Sequence, residues 1–426
     1  MKRINLEIKA LSPLAIGRQK PGGSVSEVES YIPGTVIRGA MAAYILKRAN
    51  TPITASDDFH SLFLDDNPAI FQNAYPATIE GDNQTRIQPQ VKVVPATALS
   101  SKTKSGFKSK ENHAKSGFKS KDNYGVFDTL IERFCAEGYG HLYDPNCPTD
   151  GGRVDTFTGF YSELNGKYYN HSVPTRLLTR VGINRRRATS EEQVLYSIEV
   201  LNESQNRGKI EKPVIYTGAI LVADELADSL QSFINNHQDD LRLGGATSRG
   251  LGRVKITAKL PVDAKTVKPT MEERINNFQS KLHQRWDEWQ QIFGNPLEDL
   301  LQNRAYFTIN LQSDAILREN WRRTTVISPE MLQQFAGVTD SSLQLDAAHS
   351  SYDYLSGWNS AWGLMKDVEL ITNKGGVYLF STNQPNLWME KLKDLEVNGV
   401  GDRTCEGFGQ IRVCDEFHLV MREKAV

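Results

Sequence analysis

Two glycine-rich stretches of matching pattern constrain this chain more than any other feature. The first reads Gly244-Gly-Ala-Thr-Ser-Arg-Gly-Leu-Gly-Arg-Val-Lys-Ile256 and the second Gly401-Asp-Arg-Thr-Cys-Glu-Gly-Phe-Gly-Gln-Ile-Arg-Val413. Laid side by side without a gap, Gly244, Thr247, Gly250 and Gly252 meet Gly401, Thr404, Gly407 and Gly409. Glycine admits positive φ and close backbone approach, and its bare N–H groups attract anions. In dinucleotide-binding and P-loop folds such glycines follow a strand and open a helix. Here they follow a helical pattern and open an alternating strand, which argues against a mononucleotide cradle in these loops.

The surroundings of the two loops repeat as well. Ile4, Leu6 and Ile8 alternate with polar residues as a half-buried strand, and so do Phe307, Ile309 and Leu311. Residues 214–222 read as a strand and 224–236 as a helix before the first loop; 377–380 and 387–395 read the same way before the second. Pro33-Gly34 turns into a helix on which Ile37, Met41, Tyr44 and Ile45 share a face, with Thr35 near its N-cap and Arg38 in its first turn. The order is that of a ferredoxin-like unit occurring twice. The chain is therefore expected to be α+β, with large insertions in the first copy. The expected division is a module over 1–260, a linker over 261–300 and a second module over 301–426. Ile275, Phe278, Leu282, Trp286, Trp289 and Ile292 make 271–293 a strongly amphipathic helix in that linker, more suited to packing on a neighbouring module than to a free partner surface.

A chain of 426 residues has room for two or three cores, and its 39% hydrophobic and 24% charged composition is that of an ordinary globular protein. The formal net charge of −1 supplies no global basic field, so affinity for nucleic acid has to come from local patches. The first residues alternate as a strand and do not read as a signal peptide. No apolar run approaches the roughly 20 residues that span a bilayer. Four cysteines without short C-x-x-C spacing fit buried thiols of a reducing compartment better than a zinc site, and the expected location is cytoplasmic. No metal or cofactor is expected.

Two basic segments stand out. Lys104-Ser-Gly-Phe-Lys-Ser-Lys-Glu-Asn112 recurs as Lys115-Ser-Gly-Phe-Lys-Ser-Lys-Asp-Asn123, bringing Lys104, Lys108, Lys115 and Lys119 together with Phe107 and Phe118. Lysines neutralise phosphates and aromatics stack on unpaired bases, so the repeat suits a polyanion. A solvated loop with no ligand explains the composition equally well. Arg176-Leu-Leu-Thr-Arg-Val-Gly-Ile-Asn-Arg-Arg-Arg187 carries Arg176, Arg180, Arg185, Arg186 and Arg187 with no acid, ahead of a strand over 191–200. Such a hairpin-like segment suits a grip on a nucleic-acid backbone, the alternative being ion pairing with Glu191 and Glu192.

The two Gly loops, the Tyr31-Ile-Pro-Gly-Thr-Val-Ile-Arg-Gly39 turn and the Arg-rich segment together resemble the RAMP superfamily of CRISPR-associated proteins. Length and the pair of modules look most like the cyanobacterial-type RAMP subunit of type III-D effectors, in the Cas5-like group that holds the 5′ repeat-derived end of the guide. The resemblance implies an RNA-binding scaffold of a ribonucleoprotein for antiviral defence. Its implied partners are guide RNA, other type III effector subunits and, once assembled, complementary target RNA. It implies RNA contacts from Gly34, Arg38, Gly245, Arg249, Gly250, Arg403, Gly407 and Phe408, beside the lysine repeat and the arginine segment. Target-cutting relatives carry an aspartate after the first strand; this chain has Glu27 and Glu29 there instead. Maturation nucleases use a histidine, for which His113 and His171 are the candidates, neither with an evident partner in sequence. The expectation is a non-catalytic subunit, with a RAMP endoribonuclease acting through these residues as the rival. Gly-Gly-Asp-Asp is missing, so the chain does not look like the polymerase-like signalling subunit of such complexes.

Overall fold

The computed structural model describes residues 1–18, 27–48, 58–77, 90–108, 123–184, 189–207, 210–266, 268–296, 298–359 and 364–426. Its frame is a pair of antiparallel sheets, one of six strands built on a four-strand path and one of four. In the first unit the strands are β1 (Lys2–Ala10), β2 (Ile70–Phe71, continued by β3, Tyr75–Ala77), β6 (Ile215–Val222) and β7 (Val254–Ala258); the helices are α1 (Gly34–Arg48) and α3 (Ala227–Asn236). Between β3 and β6 comes a long hairpin of β4 (Thr175–Asn184) and β5 (Thr189–Leu201), and α2 (Leu130–Gly138) lies in an insertion ahead of it. In the second unit β8 (Ala305–Leu311), β9 (Gln344–His349), β10 (Val377–Thr382) and β11 (Ile411–Val413) alternate with α5 (Pro329–Ala336) and α6 (Pro385–Asn398). Joining the units is α4 (Met271–Phe293).

The sheet orders are β7-β1-β6-β2 and β11-β8-β10-β9, with antiparallel pairing throughout. This is the ferredoxin-like order twice, the α+β architecture expected. The registers agree residue by residue. Ile8 pairs with Tyr216 on one side and Ile256 on the other, and Ile309 pairs with Tyr378 and Val413.

Alternation decides which face each strand buries. Ile4, Leu6 and Ile8 pack with Ile37, Met41, Leu230 and Ile234 of the two helices. Phe307, Ile309 and Leu311 do the same in the second unit, and the Phe307 ring lies 5.8 Å from that of Trp388 on α6. The opposite faces differ. In the second unit α4 and α2 cover it: Phe134 lies 5.3 Å from Tyr306 and 5.9 Å from Trp286, with Phe278 and Leu282 buried alongside. Side chains of this size stabilise by about 1.5–3 kcal/mol each when fully buried. A capping box starts α4: the Thr270 hydroxyl accepts from the Glu273 N–H at 3.2 Å, and the Glu273 carboxylate accepts from the Thr270 N–H at 2.8 Å. The corresponding face of the first unit carries Arg3 and Asn5, and these line a groove between the units.

Candidate nucleic-acid interface

The two Gly loops have one backbone course. Ala246 and Arg403 both adopt the left-handed conformation, at φ 54° and 58°, before a single 3-10 turn that closes on Gly250 and Gly407 at φ 86° and 95°. The Gly245 N–H donates to the Ala15 carbonyl at 2.8 Å, and the Asp402 N–H to that of Ile316 at 2.9 Å. Leu243 N–H to Gly252 carbonyl, 2.9 Å, is matched by Val400 N–H to Gly409 carbonyl, 2.8 Å. Glycine is required where the loop crosses the chain after the first strand: a Cβ on Gly244 would stand 2.6 Å from the Ala15 oxygen, and one on Gly401 2.4 Å from the Ile316 oxygen.

What the loops meet is opposite. Among the described residues nothing lies within 4 Å of a Cβ placed on Gly250, and Gly245 and Arg249 are exposed. A Cβ on Gly407 would meet Asn73 Oδ1 and the Phe71 carbonyl, both at 2.8 Å. The same Asn73 oxygen accepts the Gly34 N–H at 2.8 Å, at the start of α1. So the second loop docks on the first unit. Around it the Tyr31 hydroxyl donates to Asp314 at 3.2 Å, the Lys374 N–H donates to the other Asp314 oxygen at 2.8 Å, and the Tyr75 hydroxyl donates to the Gln312 carbonyl. Burial and Asp314 together push the Tyr31 phenol well above its ordinary pKa.

The β4–β5 hairpin leans on the open loop. Leu178 and Ile198 pack with Ala15, Val200, Ala246 and Leu251. One step further along the same face, Arg180 stands directly opposite Tyr196, and its two terminal nitrogens each approach the Arg249 carbonyl at 3.4 Å. The Arg249 guanidinium in turn donates to the Tyr196 hydroxyl and sits 5.4 Å from the centre of that ring. Arg176 is exposed and pairs with Glu203 at 3.0 Å. At the neck of the loop Arg242 and Arg253 are bridged across from each other and both exposed. Several guanidiniums and a tyrosine thus converge on one open surface, which can bind phosphates and stack on a base.

The other residues expected at an RNA interface are distributed differently. Gly34 and Gly407 face each other across the units. Arg38 donates to the Phe63 carbonyl at 2.6 Å and lies over the Phe63 ring. Arg403 pairs with Glu406 at 2.6 Å and sits 5.1 Å from the centre of the Phe408 ring, beside the docked loop. Lys104 lies 4.5 Å from the Tyr124 ring centre, and Lys108 donates to the Ala425 carbonyl at 2.6 Å. Phe107 is buried among Phe157, Tyr161, Tyr168 and Phe417, so its ring is a core element and presents no face to a base. Lys115, Phe118, Lys119, Arg185, Arg186, Arg187 and His113 lie outside the described residues. His171 is buried on its strand with its Nε2 2.7 Å from the Ser162 hydroxyl, and Glu29 is buried as well. Cys135, Cys147 and Cys414 are buried thiols, and burial pushes Cys135 and Cys414 up to about 12. Among the described residues no three His, Cys, Asp or Glu side chains are grouped to hold a metal, and no helix is long and apolar enough to cross a membrane.

Tyr196, Arg242 and Arg253 escaped the sequence reading. Tyr196 becomes visible only through the β4–β5 register, which sets it against Arg180. The signal for Arg253 was its place directly after the last loop glycine and just ahead of β7, whose first residue Val254 is buried, so that alternation turns Arg253 outward.

Comparison with curated proteins finds no match. Among solved structures the chain is similar to one in the type III-B Cmr-beta complex bound to cognate target RNA and AMPPnP, at 13% identity and a TM-score of 0.39, covering 88% of this chain and 86% of that one. A second likeness is to a chain of the Cmr-beta complex bound to cognate target RNA, at 15% identity and a TM-score of 0.35, with 88% and 86% covered. A third is to Cas6 in a substrate mimic complex, at 12% identity and a TM-score of 0.26, covering 48% of this chain and 82% of that one. The sequence profile of the RAMP superfamily matches residues 7–255. That match spans more than half of the sequence and includes the first glycine loop and the arginine hairpin, and the chain belongs to the RAMP superfamily.

Proposed function

We propose that this RAMP protein is an RNA-binding subunit of a type III CRISPR ribonucleoprotein, gripping guide RNA between the β4–β5 hairpin and the open Gly loop. The observation that carries the reading is the meeting of Arg180, Arg249 and Tyr196 around Gly250, three residues from separate segments on one uncovered surface. Arginines at such a site hold phosphates by charge-assisted hydrogen bonds, and the aromatic takes a base. In the finer form of this reading the chain is a Cas5-like subunit of a type III-D effector, holding the 5′ repeat-derived end of the guide as a scaffold. Arg185–Arg187 and the lysine repeat then extend the contact along guide or target. The division into modules over 1–260 and 301–426 with a linking helix is part of the same proposal.

The test is purification from the native host followed by sequencing of bound RNA, with Arg180→Ala/Arg249→Ala in parallel. A guide with a repeat-derived end that is retained by the native chain and lost from the double variant supports the reading. RNA retained equally by both, in a correctly folded variant, moves the interface elsewhere. Specific cleavage of precursor or target RNA by the native chain would make it an endoribonuclease.

A further inference from the structure

The groove between the two units is a cavity of about 400 Å³, within the roughly 300–1,000 Å³ of small-ligand sites. Its floor is the open face of the first sheet and its wall is the β11 edge of the second. Among the described residues five cations line it, Arg3, Lys92, Lys259, Lys268 and Arg412, against one carboxylate, Glu396. That carboxylate is already engaged by Arg274 and by the Val413 N–H at 2.6 Å. Lys92 and Arg412 share Glu416, at 2.8 and 2.9 Å. Arg3, Lys259 and Lys268 have no carboxylate partner among the described residues.

The internal repeat supplies a control for Arg3. Ile8 and Ile309 occupy the same place in the two sheets, and Arg3 and Arg304 stand the same number of residues ahead of them. Arg304 makes three hydrogen bonds: to the Ser381 hydroxyl at 2.9 Å, the Ser342 carbonyl at 2.9 Å and the Ser381 carbonyl at 3.1 Å. Among the described residues Arg3 makes one, from Nε to Asn5 at 3.0 Å. Loss of solvent and the nearby Arg412 push Arg3 down to about 10, the direction expected of a cation held in want of an anion. Amides supply the neutral chemistry. Asn5, Gln72, Gln312 and Gln410 line the same groove, and Gln410 Nε2 is buried with no hydrogen-bond partner among the described residues. Side-chain amides pair with the edges of nucleobases, while arginine and lysine hold phosphates.

We infer that this groove binds a nucleoside phosphate, either a free nucleotide or the phosphorylated end of an RNA strand, with Arg3, Lys259 and Lys268 on the phosphate and the amides on the base. The site shares no residue with the hairpin and open loop, so it stands or falls separately from the guide-binding reading.

Calorimetric titration of the full chain with AMP, adenosine, inorganic phosphate and a 5′-phosphorylated RNA trinucleotide tests it. AMP or the trinucleotide is expected to bind, with affinity reduced about a hundredfold in Lys259→Ala/Lys268→Ala, the loss of two charge-assisted contacts at about tenfold each. Both lysines are exposed, so this variant keeps the fold even if Arg3→Gln does not. Tighter binding of AMP identifies a free nucleotide and tighter binding of the trinucleotide a strand end, and either supports the site. Adenosine or phosphate binding as tightly as AMP overturns the inference. So does the failure of both AMP and trinucleotide to bind, or undiminished binding by the folded lysine variant.

Discussion

Gly407 lies against Gly34, so close that a Cβ on Gly407 would stand 3.2 Å from the Gly34 Cα. The two residues come from the glycine loop of one unit and the first helix of the other, and their missing side chains set the distance between the units. Gly250, at the same place in the first loop and with the same backbone conformation, has no such neighbour among the described residues.

The pair therefore predicts unequal costs for one substitution. Gly407→Ala has to adopt positive φ and also displace the Phe71 carbonyl, for a cost of about 2–4 kcal/mol. Gly250→Ala meets only the conformational cost, about 1–2 kcal/mol. Urea denaturation of the two variants checks the ranking, and equal midpoints would contradict the docked second loop.

At the open loop, Arg180→Ala and Arg249→Ala are each expected to weaken RNA binding and to reduce the slope of log affinity against log salt by about one. Fluorescence anisotropy over a salt series reads both quantities. Arg38→Ala, whose guanidinium is held by the Phe63 carbonyl and ring, should leave that slope unchanged.

Phe107 separates packing from recognition. With its ring enclosed by four aromatics, Phe107→Ala is expected to cost about 3–5 kcal/mol of stability. Lys104→Ala, a few residues away, should stay within about 0.5 kcal/mol. Wild-type stability in the Phe107 variant would show that the cluster does not hold the ring.

His418 gives the stability a pH dependence. Burial opposes its charged form, but Asp128 at 3.1 Å outweighs burial, with Asp415 and Glu416 adding to it, and the pKa is raised. A raised folded-state pKa stabilises fully below the unfolded value of about 6.5 and loses that contribution as pH rises through the folded value. The melting temperature should fall on going from slightly acidic to alkaline buffer, and His418→Gln should flatten that fall. An identical pH profile in the variant would remove the ion pair from the account.

Local pattern carried much of this architecture. The alternation of Ile4, Leu6 and Ile8 and the spacing from Ile275 to Trp289 gave a strand and a helix where they are found, because period follows directly from geometry. The shared course of the glycine loops was legible for the same reason: positive φ at Gly250 and Gly407 leaves a mark in sequence. Which loop stays open was not legible, since it depends on Gly34, Phe71 and Asn73, hundreds of residues away from Gly407. Phe107 misled for a related reason. Its neighbours Lys104 and Lys108 speak of solvent, while the residues that enclose it come from 157–168 and the chain's last turns. The groove escaped notice because its cations are scattered from Arg3 to Arg412 and form no run.

The covering of the second sheet by α2 has a consequence for how the chain is made. Leu130 and Phe134 leave the ribosome roughly 170 residues before the strand they pack against, so their apolar face has to wait, exposed, while β4 to β7 and α4 are synthesised. A fragment beginning at residue 301 would lack both α2 and α4 and present one side of its sheet bare. Expression of the two halves together, rather than either alone, is what the interleaving of their cores demands.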